Sequence, residues 1–372
     1  MTDLSDPPTR FFDTRAAYML FATATSEKAA VAERIGAELD RLSPQPPGLR
    51  VFDAGMGDAS VLAQLMRQMH QVFPHIPWTV VGKEISLEDV RQALSKLPDR
   101  LFEHPEMVFV VTNMRFSEAT RLRPQDPSDL VWREVALTGA TSHEFAAQIR
   151  HLLPGLARDW EVRTSPRSGN PVYVRPSVLV LYRDDHEFLL RPMIPHRDDA
   201  ETPGYDLIVA AQAYRAAAAL ERKVSAVVSP LARSLAPGGR LVGIHSRGQD
   251  PGMEIIRRVW PDEDPFRDSA ADIVAEARRQ LADTDLEFAD LSPADSVVLY
   301  EMHTMPSESA EHIGTSSILA TWNAAAYVAQ IDEDRLSEAM RSGAWEAATR
   351  AVMEQHPTVW FEDEVYLITR PL

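Results

Sequence analysis

The stretch Leu49-Arg-Val-Phe-Asp-Ala-Gly-Met-Gly-Asp58 decides the fold that this sequence predicts. Its first half, residues 49–54, is a short apolar run bounded by Pro46-Pro47 and by glycines, which predicts a buried strand. Gly55 and Gly57 let the backbone turn sharply with no side chain in the way of a ligand. A helical pattern follows directly. A strand, a two-glycine turn and a helix N-terminus are together typical of the nucleotide-binding opening of an α/β domain.

The composition narrows the classes of protein. The chain has 372 residues, with 55 acidic and 38 basic side chains and a formal charge of −17. Such a surface repels phosphate backbones and anionic headgroups, so a nucleic-acid or membrane partner is disfavoured. The absence of cysteine excludes disulfides, thiolate metal sites and cysteine nucleophiles, and a cytoplasmic setting is expected. The N-terminus also lacks the pattern of a signal peptide.

Strands and helices alternate over most of the chain, which predicts a parallel sheet with right-handed crossovers. The fold class that we expect is a Rossmann-like, seven-stranded, mostly parallel α/β sheet with helices on both faces. After the first strand, the apolar runs predict strands at 78–84, 107–112, 203–211, 240–245, 296–302 and 364–369.

The alternation is interrupted twice, which suggests a division of the chain. Residues 124–203 are rich in proline and predict an inserted α+β subdomain, with a strand over 173–182 and a returning strand over 187–190. The predicted units are, in chain order, a helical N-terminal arm (1–45), a core (46–123 and 204–303), the insertion (124–203), a helical lid (304–357) and a final core strand (358–372).

A glycine pair after a strand is weak support for any one nucleotide. Ser60 stands where the dinucleotide fingerprint has its third glycine, which counts against NAD or FAD. Asp53 lies within the turn, where it can accept hydrogen bonds from a ligand ammonium group or from the local backbone. Glu84 ends the second strand at the same edge, where a carboxylate can accept the two hydroxyls of a ribose. A Pro237-Gly-Gly239 turn leads into the fifth strand.

These features together resemble the class I S-adenosylmethionine-dependent methyltransferases. Residues 51–57 look like the first motif of that family, Glu84 like its ribose-binding acid, and residues 205–212 like its fourth-strand motif. The resemblance covers about residues 46–123 and 204–303 and the final strand. The layout is also similar to that of histamine N-methyltransferases, in the helical arm, in Gln212 at the end of strand four and in the late helical segment. Residues 124–203 have no counterpart there.

The resemblance implies S-adenosylmethionine as the cofactor and a role for each matched residue. Asp53 and Gly55, with Gly57 in the same motif, would border its methionine moiety, and Glu84 would bind its ribose. Asn113 and Met114 would lie by the adenine, and Ala211 and Gln212 would face the transferred methyl group. Each of these side chains also has a structural alternative: a turn cap for Asp53, a solvated strand end for Glu84, a core position for Met114 and a backbone-satisfying amide for Gln212.

Two histidines follow strands at the predicted ligand edge. His245 ends strand five and His303 follows strand six, so either can orient or deprotonate an acceptor, or be an ordinary polar edge residue. The clusters Asp184-Asp185-His186 and His196-Arg-Asp-Asp199 lack metal-ligand spacing, so no metal is expected. Aromatic residues in the arm and the late helices suggest a lid over the donor site, with plain packing as the alternative: Phe11, Phe12, Tyr18, Trp322 and Tyr327.

The sequence therefore predicts methyl transfer from S-adenosylmethionine to a nitrogen or oxygen of a small-molecule acceptor. An in-line displacement from an activated sulfonium needs neither a metal nor a serine–histidine pair. The first alternative is a non-catalytic S-adenosylmethionine-binding module that contacts a protein through residues 124–203. The second is a nicotinamide-dependent oxidoreductase. The sequence does not indicate an oligomeric state.

Overall fold

The computed structural model describes residues 15–166, 171–199, 203–303, 316–356 and 358–372. Within these ranges the chain forms one large mixed sheet and a separate two-stranded hairpin. The strands are β1 (Leu49–Asp53), β2 (Trp78–Lys83), β3 (Met107–Thr112), β4 (Val131–Leu137), β5 (Val162–Thr164), β6 (Pro171–Tyr173), β7 (Ser177–Arg183), β8 (Tyr205–Ala211), β9 (Leu235–Ser246), β10 (Glu287–Phe288), β11 (Val297–Glu301) and β12 (Trp360–Thr369).

The large sheet has ten strands in the order β10-β12-β9-β8-β1-β2-β3-β7-β4, and β11 also pairs with β12. Strands β3, β2, β1, β8 and β9 are parallel. The last strand, β12, is antiparallel to both β9 and β11. The predicted Rossmann-like, mostly parallel sheet is confirmed. It has three strands more than the predicted seven, because β10 and two strands of residues 124–203 join it.

Residues 124–203 extend the sheet beyond β3. Strand β7 pairs antiparallel with β3, and β4 pairs parallel with β7. Every residue of β7 is buried, as expected for an interior strand with helices on both faces. Of the strands described in this segment, β5 and β6 lie outside the large sheet and pair with each other. The predicted strand over 187–190 is wrong: these residues form a helix after a 3₁₀ turn, and only Leu190 is buried, so no alternating face favours a strand.

Helices cover both faces of the sheet. They are α1 (Arg15–Ala24), α2 (Glu27–Gly36), α3 (Ser60–Val72), α4 (Leu87–Glu103), α5 (Phe116–Ala119), α6 (Ser142–Asp159), α7 (Glu187–Leu190), α8 (Leu220–Lys223), α9 (Ser229–Ala232), α10 (Pro251–Val259), α11 (Ala270–Gln280), α12 (Ser317–Val328), α13 (Glu333–Ser342) and α14 (Ala344–Gln355). Helices α2, α3, α4 and α6 bury apolar stripes on one face, and α9 and α11 do so on the other. A third apolar cluster joins α1, α10, α12 and α14 beyond the sheet edge.

The N-terminal helices are fixed to the carboxyl edge of the sheet. The backbone N–H of Ser26, between α1 and α2, donates to the carbonyl of Glu301 at the end of β11 (2.9 Å). The side-chain amide of Asn323 on α12 donates to the carbonyl of Ala17 on α1 (2.8 Å). Helices α1 and α12 therefore pack together above this edge. In the predicted lid, residues 304–315 lie outside the described residues. Over the described ranges, none of the helices has the length and apolar character needed to cross a membrane.

Candidate functional site

The ends of four parallel strands meet at one edge of the sheet. Asp53 of β1 is in register with Gly82 of β2 and with Val209 of β8, and Ala211 of β8 is in register with Ile244 of β9. The residues that follow these positions therefore share one rim, where α/β sheets bind ligands.

The glycine turn is held between its two neighbouring strands. The N–H of Ala54 donates to the carbonyl of Val209 (2.9 Å), and the N–H of Met56 to that of Lys83 (3.2 Å). Gly57 has φ +53°, a conformation that glycine adopts without strain. The Met56 side chain packs against Gly82, where a Cβ would lie 2.3 Å from its sulfur. Gly82 is thus required for the turn to sit this close to β2.

Glu84 links the second strand to the turn. Its Oε2 accepts from the N–H of Gly57 (2.9 Å), and its Oε1 accepts from the N–H groups of Ile85 (2.7 Å) and Ser86 (2.8 Å). Burial raises the pKa of Glu84. A carboxylate has about four acceptor positions, so three backbone bonds leave room for one more. That is enough for one ribose hydroxyl.

Asp53 is a buried carboxylate at the end of β1. Its Oδ1 accepts from the N–H of Gly55 (3.1 Å), so it caps the turn as the structural alternative predicted. Burial, and to a smaller degree the nearby Glu84, raise the pKa of Asp53 to about 7. A cation placed beside Asp53 would favour its ionised form.

Asp58 organises the start of α3 and was not singled out from the sequence. Its carboxylate accepts from the N–H and hydroxyl of Ser60 (3.1 and 2.7 Å), from Nζ of Lys96 (2.8 Å) and from the hydroxyl of Tyr18 (2.9 Å). Burial alone would raise the pKa of Asp58, but the Lys96 and Ser60 hydrogen bonds lower it to about 2. An Asp two residues before a Ser at a helix start was the available signal.

Aromatic side chains of α1 and α12 lie over the glycine turn. Tyr18 reaches Asp58, and a Cβ at Gly57 would lie 3.5 Å from the Tyr18 hydroxyl. The rings of Phe21 and Tyr327 stack with centroids 4.8 Å apart, and Tyr18 lies 5.8 Å from Tyr327. Two of the five predicted lid aromatics, Tyr18 and Tyr327, are thus together at the rim. Phe11 and Phe12 lie outside the described residues, and Trp322 packs against Trp260 and Trp345 instead.

Lys28 lies beside these aromatic rings. Nζ of Lys28 lies 5.3 Å from the centroid of the Tyr18 ring and 2.8 Å from Oε2 of Glu27. Burial opposes its charge, but the Glu27 carboxylate raises the pKa of Lys28. The lysine side chain is one-fifth exposed, so it lies at the mouth of the rim rather than deep within it.

Gln212 follows β8 and bridges to the last strand. It has φ +50°, and its Nε2 donates to Oγ of Ser246 (3.0 Å) and to Oδ2 of Asp363 (3.2 Å). Its neighbour Ala211 faces the turn, since a Cβ at Gly55 would lie 3.9 Å from the Ala211 carbonyl oxygen. Ala211 and Gln212 are therefore at the same rim as Gly55.

Asp363 was missed from the sequence. It is fully buried, and none of the described residues forms a hydrogen bond with its Oδ1. Burial and the nearby Glu27 raise the pKa of Asp363 to about 8. The alternation along β12 places Asp363 on the same buried face as Phe361 and Val365, and this alternation was the available signal.

The two candidate histidines are in different surroundings. His245 is buried, its Nε2 lies 3.5 Å from Oε2 of Glu364, and its ring packs edge-on against Tyr214. It shares the lining of a small cavity of about 10 Å³ with Gln212. His303 is exposed, and its backbone N–H donates to the carbonyl of Ala24 (2.7 Å). The structure thus brings His245, but not His303, beside Gln212.

Asn113 and Met114 both have structural partners. The side chain of Asn113 donates to the carbonyls of Asp159 (3.1 Å) and Arg175 (3.0 Å) and accepts from the N–H of Ser177 (2.9 Å). Met114 is fully buried in the core on one face of the sheet. The contacts of Asn113 attach residues 124–203 to the end of β3. A contact of Asn113 or Met114 with an adenine stays a prediction.

Residues 124–203 also reach the second strand. The indole N–H of Trp160, at the end of α6, donates to the carbonyl of Glu84 (2.9 Å), and Trp160 is buried. Among the described residues, no three histidine, aspartate or glutamate side chains converge as a metal site. The rim instead collects buried carboxylates, namely Glu27, Asp53, Asp58, Glu84 and Asp363. Such a rim suits a positively charged ligand.

No family model and no curated protein sequence matches this chain. Similar solved structures include a geranyl diphosphate methyltransferase in complex with S-adenosylmethionine (14% identity, 98% of this chain and 93% of that one, TM-score 0.32). They also include the [4+2]-cyclase SpnF (12%, 91% and 82%, TM-score 0.31). A third is an S-adenosylmethionine-dependent methyltransferase from Clostridium acetobutylicum (8%, 92% and 92%, TM-score 0.28).

The strand order defines the class of fold independently of these similarities. A parallel β3-β2-β1-β8-β9 core that ends in the antiparallel hairpin of β12 and β11 is the fold of the class I methyltransferases, as the first motif and the last strand had predicted.

Proposed function

We propose that this protein transfers a methyl group from S-adenosylmethionine to a nitrogen or oxygen of a small-molecule acceptor. The observation that supports this most is the bond from Gly57 N–H to Glu84 Oε2, with Asp53 at the same rim. It combines a glycine turn, an acid on the adjacent strand and a buried carboxylate. A nucleoside carrying cationic groups is complementary to this combination.

Each residue of the rim would bind a different part of the cofactor. Asp53 would accept a hydrogen bond from the cofactor ammonium group, beside the open backbone of Gly55 and Gly57. Glu84 would accept one ribose hydroxyl through its remaining acceptor position. When bound, S-adenosylmethionine supplies a methyl group on a sulfonium, which is already activated for displacement. The acidic rim would offset this positive charge.

Gln212 and Ala211 would border the acceptor, since they follow β8 next to Gly55. Asp363 and Ser246 fix the Gln212 amide, so Gln212 would act as a positioning residue. Of the two histidines, His245 is the better candidate for a proton acceptor, because it lies beside Gln212 and Glu364 can orient its ring. The acidic surface disfavours a nucleic acid as the acceptor.

Calorimetry with S-adenosylmethionine, S-adenosylhomocysteine and NAD tests the cofactor, and a panel of small amines and phenols with radiolabelled donor tests the reaction. We expect both adenosyl compounds to bind and at least one acceptor to be methylated. Binding without any turnover would favour the non-catalytic module that uses residues 124–203. Tighter binding of NAD would favour the oxidoreductase, and no binding of any of the three would refute the proposed site.

A further inference from the structure

A second cleft lies near the amino ends of the central strands, away from the rim described above. It has a volume of about 270 Å³. Its lining includes Arg50, the second residue of β1, whose Nη2 donates to the carbonyl of Pro192 (3.3 Å). The carbonyl of Met193 accepts from the hydroxyl of Thr79 at the start of β2 (2.8 Å). Residues 192–194 are thereby fixed against the amino ends of β1 and β2, opposite to Asp53.

Cationic side chains converge on this cleft in a strongly acidic protein. It is lined by Arg50, Arg121, Arg123, Arg191, Arg197 and His196. The chain as a whole has a formal charge of −17, so a group of five arginines around one opening departs from the general charge pattern. Guanidinium groups present paired N–H donors that match the oxygens of a phosphate.

Carboxylates near the cleft offset part of this charge, and Asp206 and Asp199 both act on Arg50. Arg191 pairs with Glu187 only at 3.6 Å between exposed side chains, a contact of little energetic weight. His196 lies 3.7 Å from Glu134. Of the described residues that line the cleft, one is acidic, Asp199. Within the described part of the chain, no ion pair involves the exposed side chains of Arg123 or Arg197.

Apolar side chains form part of the cleft lining. Leu122, Met193 and Ile194 are buried in the core on this face, and Trp132 packs against the same core while partly exposed. Arginines beside apolar side chains and an indole suit a molecule that has both a phosphate and an apolar or aromatic portion.

We propose that this cleft is a binding site for a phosphate-bearing small molecule with an apolar or aromatic portion, separate from the methyl-transfer rim. The arginines bind the phosphate oxygens, and Trp132 with the buried aliphatic side chains contacts the remainder. The site does not depend on the proposed methyl transfer, because it lies at the other end of the sheet and shares no residue with the rim.

Calorimetry on the full-length protein tests the site with adenosine diphosphate as the probe, in saturating S-adenosylhomocysteine so that a nucleoside site at the rim is blocked. Pyrophosphate and adenosine are the two partial probes. We expect adenosine diphosphate to bind more tightly than either one, and its affinity to fall about tenfold or more in the double variant Arg123→Gln/Arg197→Gln. Added salt should weaken the binding.

The double variant Arg67→Gln/Arg341→Gln is the matched control, because it removes the same charge from two exposed helical positions outside the cleft. Its affinity should change by no more than about twofold. No binding of adenosine diphosphate, or equal losses in the two double variants, would overturn the proposal. If adenosine binds as tightly as adenosine diphosphate, the arginines do not recognise the phosphate and that part of the proposal is wrong. If pyrophosphate binds as tightly, the apolar side chains do not contribute and that part is wrong. If the rim binds no adenosyl compound, the diphosphate titration without S-adenosylhomocysteine gives the same comparison.

Discussion

The backbone N–H of Gly57 lies 2.9 Å from Oε2 of Glu84, and this single bond connects the glycine turn of the first strand to the acid of the second. Glu84 also holds the N–H groups of Ile85 and Ser86, which precede α4. The carboxylate therefore both shapes the rim and keeps one acceptor position for a ligand. Its replacement should affect cofactor binding and local stability together.

Glu84→Ala should weaken S-adenosylmethionine binding by more than tenfold, which corresponds to about 1.4 kcal/mol or more. Affinity falls for two reasons: the hydrogen bond from Glu84 to the ligand is missing, and the N–H of Gly57 loses its acceptor. Glu84→Gln, which keeps one acceptor oxygen, should lose less. Calorimetry measures both, with Glu33→Ala on the exposed side of α2 as the control. An unchanged affinity in Glu84→Ala would exclude Glu84 from the site.

Tyr18→Phe should loosen the N-terminal arm from the glycine turn. It removes the hydrogen bond to Asp58, a bond to a charged group, so we expect the free energy of unfolding to fall by about 1.5 kcal/mol. Affinity for S-adenosylmethionine should fall several-fold, since the arm then closes less well. Tyr173→Phe is a matched control, because it removes a 2.9 Å bond to Glu118 away from the rim. Equal losses of affinity in both variants would contradict a covering role for Tyr18.

Binding of S-adenosylmethionine should strengthen as the pH rises through about 7. The pKa of Asp53 in the free protein is raised to about 7, so its carboxyl is protonated below that pH, and a cationic ligand favours the ionised form. Binding at pH 6 should therefore release protons. Calorimetry in buffers of different ionisation enthalpy measures this release, which Asp53→Asn should abolish. An identical pH dependence in Asp53→Asn would assign the titration to another group.

The first motif allowed most of the fold to be predicted, because β-α-β alternation and the glycine turn are local patterns. The positions of Asp53, Glu84, Ala211 and Gln212 at one edge followed from the parallel register alone. The place of residues 124–203 in the sheet was harder to predict. The pairing of β7 with β3 is a contact between distant segments, and the Val-Leu-Val-Leu181 run predicts a strand without naming its neighbour.

The roles of single polar residues could not be predicted for the same reason. Asn113 follows a strand in the manner of a ligand contact, yet its partners are the backbone groups of Asp159, Arg175 and Ser177, all from the segment that joins the sheet later. The alternation along β12 places Asp363 on the buried face of Phe361 and Val365. Its partner Gln212 comes from a distant strand, and that pairing depends on tertiary packing.

Acid should destabilise the fold through His104. This imidazole stacks on Trp78 with centroids 3.5 Å apart, and burial lowers the pKa of His104 to about 4. Between pH 6.5 and 4 the unfolded chain therefore binds more protons here than the native one, so stability falls as the pH decreases. The contribution of His104 is up to about 3 kcal/mol. Urea unfolding across this range should show a smaller decrease in His104→Gln and an unchanged one in His151→Gln, an exposed control. Equal decreases in all three proteins would exclude His104 as the source.

Gly82→Ala should destabilise the protein and impair the rim, although Gly82 itself lies below it. The added Cβ would be 2.3 Å from the sulfur of Met56 and 3.3 Å from its Cβ, so the glycine turn must move. Overpacking of this kind costs about 1–3 kcal/mol. The second substitution Met56→Ala removes the colliding sulfur, and the double variant should regain part of both the stability and the S-adenosylmethionine affinity. Denaturant unfolding and calorimetry on the two single variants and the double variant give the coupling between the positions. Purely additive effects would mean that Met56 does not transmit the change at Gly82 to the turn.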